Sequence, residues 1–321
     1  MKAFVVSLDN PTGRARMEIL RERAADIGLE IEKFDAKYGK TMNWNTVIDE
    51  ASTVCALFCT PAVVGCALSH VELWRKTVRD GLEWALILED DAKLVDDAVP
   101  RIERAIEQAP EGWDVLLLGC FMCGKNAQRI YTTFASSGVS ELETRNGMRR
   151  VIRFGGTHAY IVSAAGAKKL VSSIGDNITY HIDQQMSGLP NLNKYVVEPQ
   201  IALQNSWVDS ENAASVNFPG TIDTILRKVG YAEGEPPLHY LMNVGWYRFG
   251  TWKHHVVMTT WHKVLFIAGF LGLPWKVFTV FAAVDVSLVA TEDAPSKLAA
   301  YFLGFIARAL WIHYRLPFFG R

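Results

Sequence analysis

The first 120 residues alternate between short apolar runs and helical patterns, and that alternation restricts the fold more than any other feature of the chain. Ala3–Leu8 reads as a buried strand, followed by a turn at Asn10-Pro11-Thr12-Gly13 and a charged helix, Arg14–Ile27, that stops at Gly28. Glu30–Phe34 reads as a second strand. Val64, Ala67, Leu68, Val71, Trp74 and Val78 then share one helical face, which Gly81 closes. Trp84–Leu88 as a strand, Val99–Ala109 as a helix and the apolar Asp114–Leu118 continue the series. Strands separated by helices predict parallel pairing in an α/β sheet with both faces covered. Ligands of such sheets bind beyond the carboxyl ends of the strands.

The strand at Trp84–Leu88 runs into Glu89-Asp90-Asp91, at such an end. Carboxylates there can hold a hard divalent cation, and the cation can neutralise a leaving diphosphate. The triplet says little alone: with 34 acids among 321 residues, chance supplies about 0.4 of them. Alternate residues of an extended segment point to the same side. Glu89 and Asp91 therefore make an E-x-D pair, with Asp91 as direct metal ligand and Glu89 on the metal, the ribose or a metal-bound water. Ser7, Leu8 and Asp9 follow the first strand where a nucleoside would lie, and Asp35 ends the second strand within reach of base or ribose. Ser69 and His70 are candidate donor-site polar groups, although a structural His70 fits the pattern equally. In Gly155-Gly156-Thr157-His158 the glycines would let the backbone approach a ligand closely. A plain tight turn explains them almost as well.

Composition sets the remaining bounds. Half the residues are apolar and the net charge is -1, a globular balance without the basic footprint of a nucleic-acid binder. From Leu238 onward, however, eight Lys/Arg face three Asp/Glu, against 25 and 31 before it. Gly234-Glu235-Pro236-Pro237 is the best boundary candidate, dividing the chain into a catalytic body at 1–235 and a basic, aromatic-rich helical region at 236–321. Within the latter, Val264–Trp275 is uncharged but short of the roughly 20 residues a bilayer span needs. Flanking aromatic and basic residues suit a membrane interface, so we expect either a peripheral membrane anchor or helices that pack on the body or on a second copy. His254, His255 and His262 read as interfacial or packing residues rather than a metal site. Five cysteines (Cys55, Cys59, Cys66, Cys120, Cys123) lack a secreted-scaffold pattern, and the chain opens directly on a strand-like run. Both points favour a reducing, cytoplasmic setting and no cleaved leader. The cysteines are expected as ordinary thiols, with a four-thiolate zinc site as the alternative.

Several ordered motifs give the chain a recognisable pattern: VVSLDNPTGRARM near the start, FDAKYG, GCALSHVELW (65–74), ALILEDDA (85–92), GTHAYIVSAAGAKKL (156–170) and the Asp of HIDQQ (181–185). Together they resemble glycosyltransferase family 25, which includes lipopolysaccharide-type sugar transferases and collagen galactosyltransferases. The resemblance covers about Lys2 to Ser210. It implies a GT-A-like fold with a Rossmann-type nucleotide-sugar-binding half, a UDP-hexose donor, Mn²⁺ or Mg²⁺, and inversion at the anomeric carbon. It also points to Arg14, in the family's Arg-rich turn, as a donor contact ahead of Arg16. Asp183 matches the family's late Asp and is the first choice for the base an inverting transfer needs, with His158 and Asp176 behind it. A third metal ligand stays open among Gln204, Asn205 and His181.

The sequence therefore predicts a metal-dependent hexosyltransferase acting on a glycan, glycolipid or glycoprotein hydroxyl. A non-catalytic glycan-binding protein on the same fold and a metal-dependent phosphohydrolase are the rivals. The donor hexose and the linkage stay open, because one or two pocket side chains decide them.

Overall fold

The computed structural model describes residues 1–121, 123, 144–145, 147–204, 244–273 and 294–314. The chain divides into two compact units, Met1–Ser206 and Trp207–Arg321. The boundary expected at Gly234–Pro237 lies outside the described residues.

The first unit is built on an eight-stranded sheet. Its strands are β1 (Lys2–Ser7), β2 (Glu30–Asp35), β3 (Trp84–Glu89), β5 (Val115–Phe121), β6 (Thr144–Arg145), β7 (Met148–Arg150), β8 (Gly155–Ser163) and β9 (Lys194–Val197). They lie in the order β2-β1-β3-β8-β5-β9-β7-β6. A separate small ladder pairs β4 (Ala92–Leu94) with β10 (Ala202–Gln204). Among the described residues the helices that accompany them are α1 (Pro11–Asp26), α2 (Trp44–Glu50), α3 (Thr53–Phe58), α4 (Pro61–Arg79), α5 (Ala98–Glu107), α6 (Ala164–Ile174) and the short α7 (Ile182–Gly188).

The helix boundaries follow from local chemistry. Asn10 caps α1 by accepting the Gly13 N–H at 2.7 Å, with Pro11 in the first turn. Thr60 and Pro61 do the same for α4, and Ser163 caps α6. The predicted series is therefore found, each element shifted by a few residues at most.

The pairing, however, departs from an all-parallel sheet. Strands β2, β1 and β3 are parallel to one another and β9 is parallel to β5. Between β3 and β5 sits β8, antiparallel to both, and β7 is antiparallel to β9. The chain enters β8 from the end at which β3 and β5 finish, so no crossover helix is needed and the direction reverses. This places Gly155–His158 beside the carboxyl ends of β3 and β5.

Alternation across the sheet separates two apolar layers. Ala3, Val5, Leu86, Leu88, Ala159 and Ile161 pack with Met17 and Leu20 of α1 and Ile102 of α5. On the other face, Tyr160 meets Trp74 and His70 of α4. Burial on both sides makes the central strands continuously apolar, as their sequences are.

The cysteines depart from expectation. Cys55 pairs with Cys59 and Cys120 with Cys123 as disulfides, leaving Cys66 free. The reduced-thiol reading is corrected, the four-thiolate zinc alternative goes with it, and the thiol argument for a reducing compartment falls.

In the second unit, β11 (Gly245–Gly250) and β12 (His255–Thr259) form a hairpin. Helix α8 (Thr260–Leu271) follows directly, and α9 (Ala294–Tyr314) packs against it. Among the described residues, no helix is long and apolar enough to cross a membrane.

Candidate active site

The acidic triplet forms the turn between β3 and β4, and its three carboxylates go separate ways. Glu89 points to the α4 side of the sheet. There it accepts the Thr157 hydroxyl at 2.7 Å and lies 3.5 Å from Nε2 of His70. Asp90 points to the β1 side, accepting the Ser7 hydroxyl at 2.8 Å and facing Arg16 at 3.4 Å. Asp91 is buried. Its Oδ2 accepts from the Gln204 amide at 2.7 Å, and its Oδ1 has no partner.

Strand alternation explains the opposite facing of Glu89 and Asp90. Asp91 lies past the strand end, yet it remains close enough for Glu89 to act on its charge. Burial and then Glu89 push the Asp91 carboxyl up to about 7, against the Gln204 hydrogen bond. Burial also raises Asp90, opposed by Ser7 and Arg16. For Glu89 burial works upward too, but His70 and Thr157 outweigh it and hold the carboxyl below its usual value.

Behind Glu89 runs a buried chain of hydrogen bonds. The Trp74 indole N–H can only donate, and it donates to the Tyr160 hydroxyl at 2.9 Å. The same hydroxyl lies 2.9 Å from Nδ1 of His70 and can donate its own proton there. With Nδ1 accepting, the ring N–H of His70 lies on Nε2 and faces Glu89.

On the other flank, His158 stacks on Phe121 with ring centroids 5.0 Å apart, and neither ring nitrogen makes a well-formed hydrogen bond. Burial pushes this imidazole down to about 4, against the pull of Glu89 and the Ala202 carbonyl, so it is neutral near pH 7. Gly156 explains the glycine requirement. Its φ is +76°, and an added Cβ would lie 2.6 Å from the Phe121 ring. The Gly156 N–H is held by Asp183 Oδ2 at 2.8 Å, and Asp183 Oδ1 accepts the Gln184 N–H at the start of α7. The GGTH segment is thus the opening of a strand, not a free tight turn.

The Cys66 thiol of α4 is pushed well up by burial and then by the charges of Glu89, Asp183 and Asp91.

The remaining sequence candidates divide clearly. Ser7, Glu89, Asp90, Asp91, His70, Thr157, His158, Gly156 and Asp183 come together. Ser69 is buried but engaged elsewhere, donating to the Gly65 carbonyl and accepting the Lys37 N–H. Asp35 is exposed and paired with Lys33, while Leu8 is half-buried beside the site edge. Arg14 lies on the surface paired with Asp9. It is Arg16 that turns inward, with Nε and Nη2 buried and unpaired. Of the open third ligands, Gln204 reaches Asp91 and His181 rests against Tyr180. Asn205 lies outside the described residues, and Asp176 is exposed in an ion pair with Arg75.

Sequence reasoning ranked Arg16 below Arg14 and missed Tyr160, Trp74 and Arg16's role in the turn. A helical count from Asn10 places Arg16 one turn after Thr12 and three residues after the buried Gly13, which was a usable signal.

Residues 1–186 match the family model for glycosyltransferase family 25 (LPS biosynthesis protein). The chain belongs to this family. It is 27% identical over 184 residues to the inactive glycosyltransferase 25 family member 3 of Mus musculus, covering 54% of this chain and 29% of that protein. It is 24% identical over 129 residues to procollagen galactosyltransferase 1-B of Xenopus laevis, covering 37% and 21%. The chain thus spans less than a third of the length of these curated relatives. Among solved structures, the inositol-1-phosphate CTP transferase of T. maritima aligns with 72% of this chain and 79% of that one, at a TM-score of 0.32 and 13% identity. A score that low supports no functional argument.

Proposed function

We propose that this family member is a metal-dependent, inverting hexosyltransferase with a GT-A-like fold. It transfers a hexose from a nucleotide diphosphate sugar, UDP-galactose or UDP-glucose, to a hydroxyl of a glycan, glycolipid or glycoprotein. One observation carries the reading. A buried carboxylate oxygen without a partner, Asp91 Oδ1, and two buried unpaired guanidinium nitrogens of Arg16 flank the same three-residue turn. The first calls for a cation and the second for an anion, and a metal diphosphate supplies both.

Among the described residues, no group of three or more His, Cys, Asp or Glu is set to hold a metal. That fits Mn²⁺ or Mg²⁺ bound jointly with substrate, since such ions need only one or two carboxylates when phosphate oxygens and waters complete the shell. Asp91 would hold the ion, with Glu89 beside it. When bound, a divalent cation there stabilises the charge that develops on the leaving diphosphate. Arg16 grips the diphosphate by charge-assisted hydrogen bonds. Ser7 and Leu8 border the nucleoside, with Asp9, Arg14 and Asp35 at its outer rim. Asp183 takes the acceptor proton, using the second lone pair of a carboxylate already oriented by Gly156 and Gln184. The catalytic body spans residues 1–235 and works at a membrane surface.

Mn²⁺-dependent hydrolysis of UDP-galactose or UDP-glucose without acceptor tests the proposal. Turnover that Asp91→Asn abolishes supports it; turnover indifferent to EDTA refutes the metal assignment.

A second reading has its own support, because several relatives bear the word inactive in their names. On that reading the same pocket binds a sugar nucleotide without transferring the sugar. Donor binding by calorimetry, with neither hydrolysis nor transfer across an acceptor panel, would select it.

A further inference from the structure

We propose that α8 and α9 form a membrane-inserting helix pair whose outward face enters one leaflet of a lipid bilayer. In water, paired helices place their large apolar side chains between them and polar ones outside. Here that arrangement is inverted. The helices touch through glycine: a Cβ added to Gly269 would lie 2.0 Å from the Tyr301 carbonyl oxygen, and one on Gly304 2.0 Å from that of Phe266. Leu265, Ala300 and Tyr301 are buried in the same unit. The bulk faces away. Ile267 and Leu271 on α8 and Phe302, Leu303, Phe305 and Ile306 on α9 are 51–63% exposed.

Charge is withdrawn from this surface. Arg308 is the single charged residue between Leu298 and Ile312, and its guanidinium turns back onto the Leu271 carbonyl at 2.9 Å. Lys263, the single charge within α8, lies over the Trp246 ring at 4.4 Å. An exposed apolar surface of this kind marks an interaction site.

Three observations select lipid as its occupant. Backbone contact through small residues, with large apolar groups turned outward, is how helices associate where lipid replaces water. At about 100° per residue, the exposed apolar positions of α9 from Leu298 to Ile312 sweep about 260° of its circumference. That is wider than the stripe a single partner helix covers. The surrounding segment from Leu238 also carries eight Lys/Arg against three Asp/Glu, which complements anionic headgroups. Partial insertion follows from length and composition together: the twelve residues of α8 reach about 18 Å against a hydrocarbon core of about 30 Å, and α9, although its 21 residues reach about 32 Å, is not apolar enough to cross. The inference is independent of the glycosyl-transfer reading.

Flotation of the full chain with phosphatidylcholine vesicles, with and without phosphatidylglycerol, tests it. The chain should float with both and more tightly with the anionic set. Phe305→Ser/Ile306→Ser should weaken partitioning about a hundredfold, at an unchanged melting temperature because both side chains are already exposed. If that variant does not fold, Ile267→Ser/Leu271→Ser on the other helix carries the same test. A parent chain that stays unbound overturns the proposal. So does a variant pair that floats like the parent, or a vesicle-free dimer that the substitutions dissolve, since the face would then belong to a second copy.

Discussion

The two units of this protein use polar and apolar side chains in opposite ways. In the first unit, polar groups are drawn inward to the sheet's end, where Asp91 and His158 are buried, Arg16 is half-buried, and each has polar atoms left unpaired. Around them the large apolar residues fill two layers against helices. In the second, glycine occupies the helix crossing and leucine, isoleucine and phenylalanine face out. Each region is costly alone in water: one leaves buried polar groups unsatisfied, the other leaves apolar area exposed. On the two proposals above, each region is built for something from outside the chain. For the first we assign a metal diphosphate, for the second a lipid surface.

The sharpest way to break this comparison is Asp91→Asn, which keeps shape and removes the charge. Metal-dependent turnover should fall by about a thousandfold with the melting temperature held or raised, since a buried carboxylate without its cation is a burden to the fold. Undiminished turnover would detach the site from metal chemistry. Next in size is the hundredfold loss of vesicle partitioning set out above.

The two arginines of α1 give a finer test. Arg16→Ala should weaken donor binding by about ten- to a hundredfold, the worth of charge-assisted hydrogen bonds. Arg14→Ala, on an exposed pair with Asp9, should change it little. Calorimetric titration with UDP in the presence of Mn²⁺ separates the two, and equal effects would contradict the inward assignment of Arg16.

A control within the first unit involves no ligand. Lys194 is buried and donates to the carbonyls of Ser187 at 2.7 Å, Leu189 at 3.0 Å and Met186 at 3.4 Å, closing the end of α7 that begins beside Asp183. Lys194→Met should cost about 1–3 kcal/mol. Burial, then Arg153 and Arg150, push the Lys194 ammonium down to about 8, below its unfolded value of 10.5. Between those two pH values the unfolded chain binds more protons than the folded one, so stability should rise with pH across that window. Urea titrations of the parent and Lys194→Met at pH 7.5 and 9.5 would show the rise in the parent alone.

The smallest effect belongs to Tyr160→Phe. It should cost about 1 kcal/mol in stability, and it should alter the pH profile of turnover by freeing the His70 tautomer. A loss of stability with an unchanged profile would make the Trp74–Tyr160–His70 chain purely structural.

Much of the first unit was legible in the sequence because its signals are local. Apolar runs, Asn10-Pro11 and Thr60-Pro61 caps and terminal glycines fix strands and helices without reference to distant residues. Strand direction was not legible. Nothing in GTHAYIVS distinguishes a parallel from an antiparallel strand once both faces are buried, and the reversal at β8 depends on how the preceding segment returns. The same limit governs the cysteines, whose pairing follows from backbone geometry rather than spacing. The choice between Arg14 and Arg16 turned on which residue of α1 faces the β3 turn, a packing question.

The sequence by itself determined the alternating α/β order, the acidic turn at 89–91, the motifs of the family and the low charge of the C-terminal helices. Those properties are written in neighbouring residues. Tertiary structure alone decided that Glu89 and Asp90 face opposite sides of the sheet, that Arg16 and not Arg14 lies inside, and that β8 brings His158 and the Asp183-held Gly156 to the acidic turn. It also decided that two glycines, 35 residues apart in the chain, set the contact between α8 and α9 and turn their large side chains outward. Contacts between distant segments are settled by which surfaces can be buried together, and no local pattern encodes that.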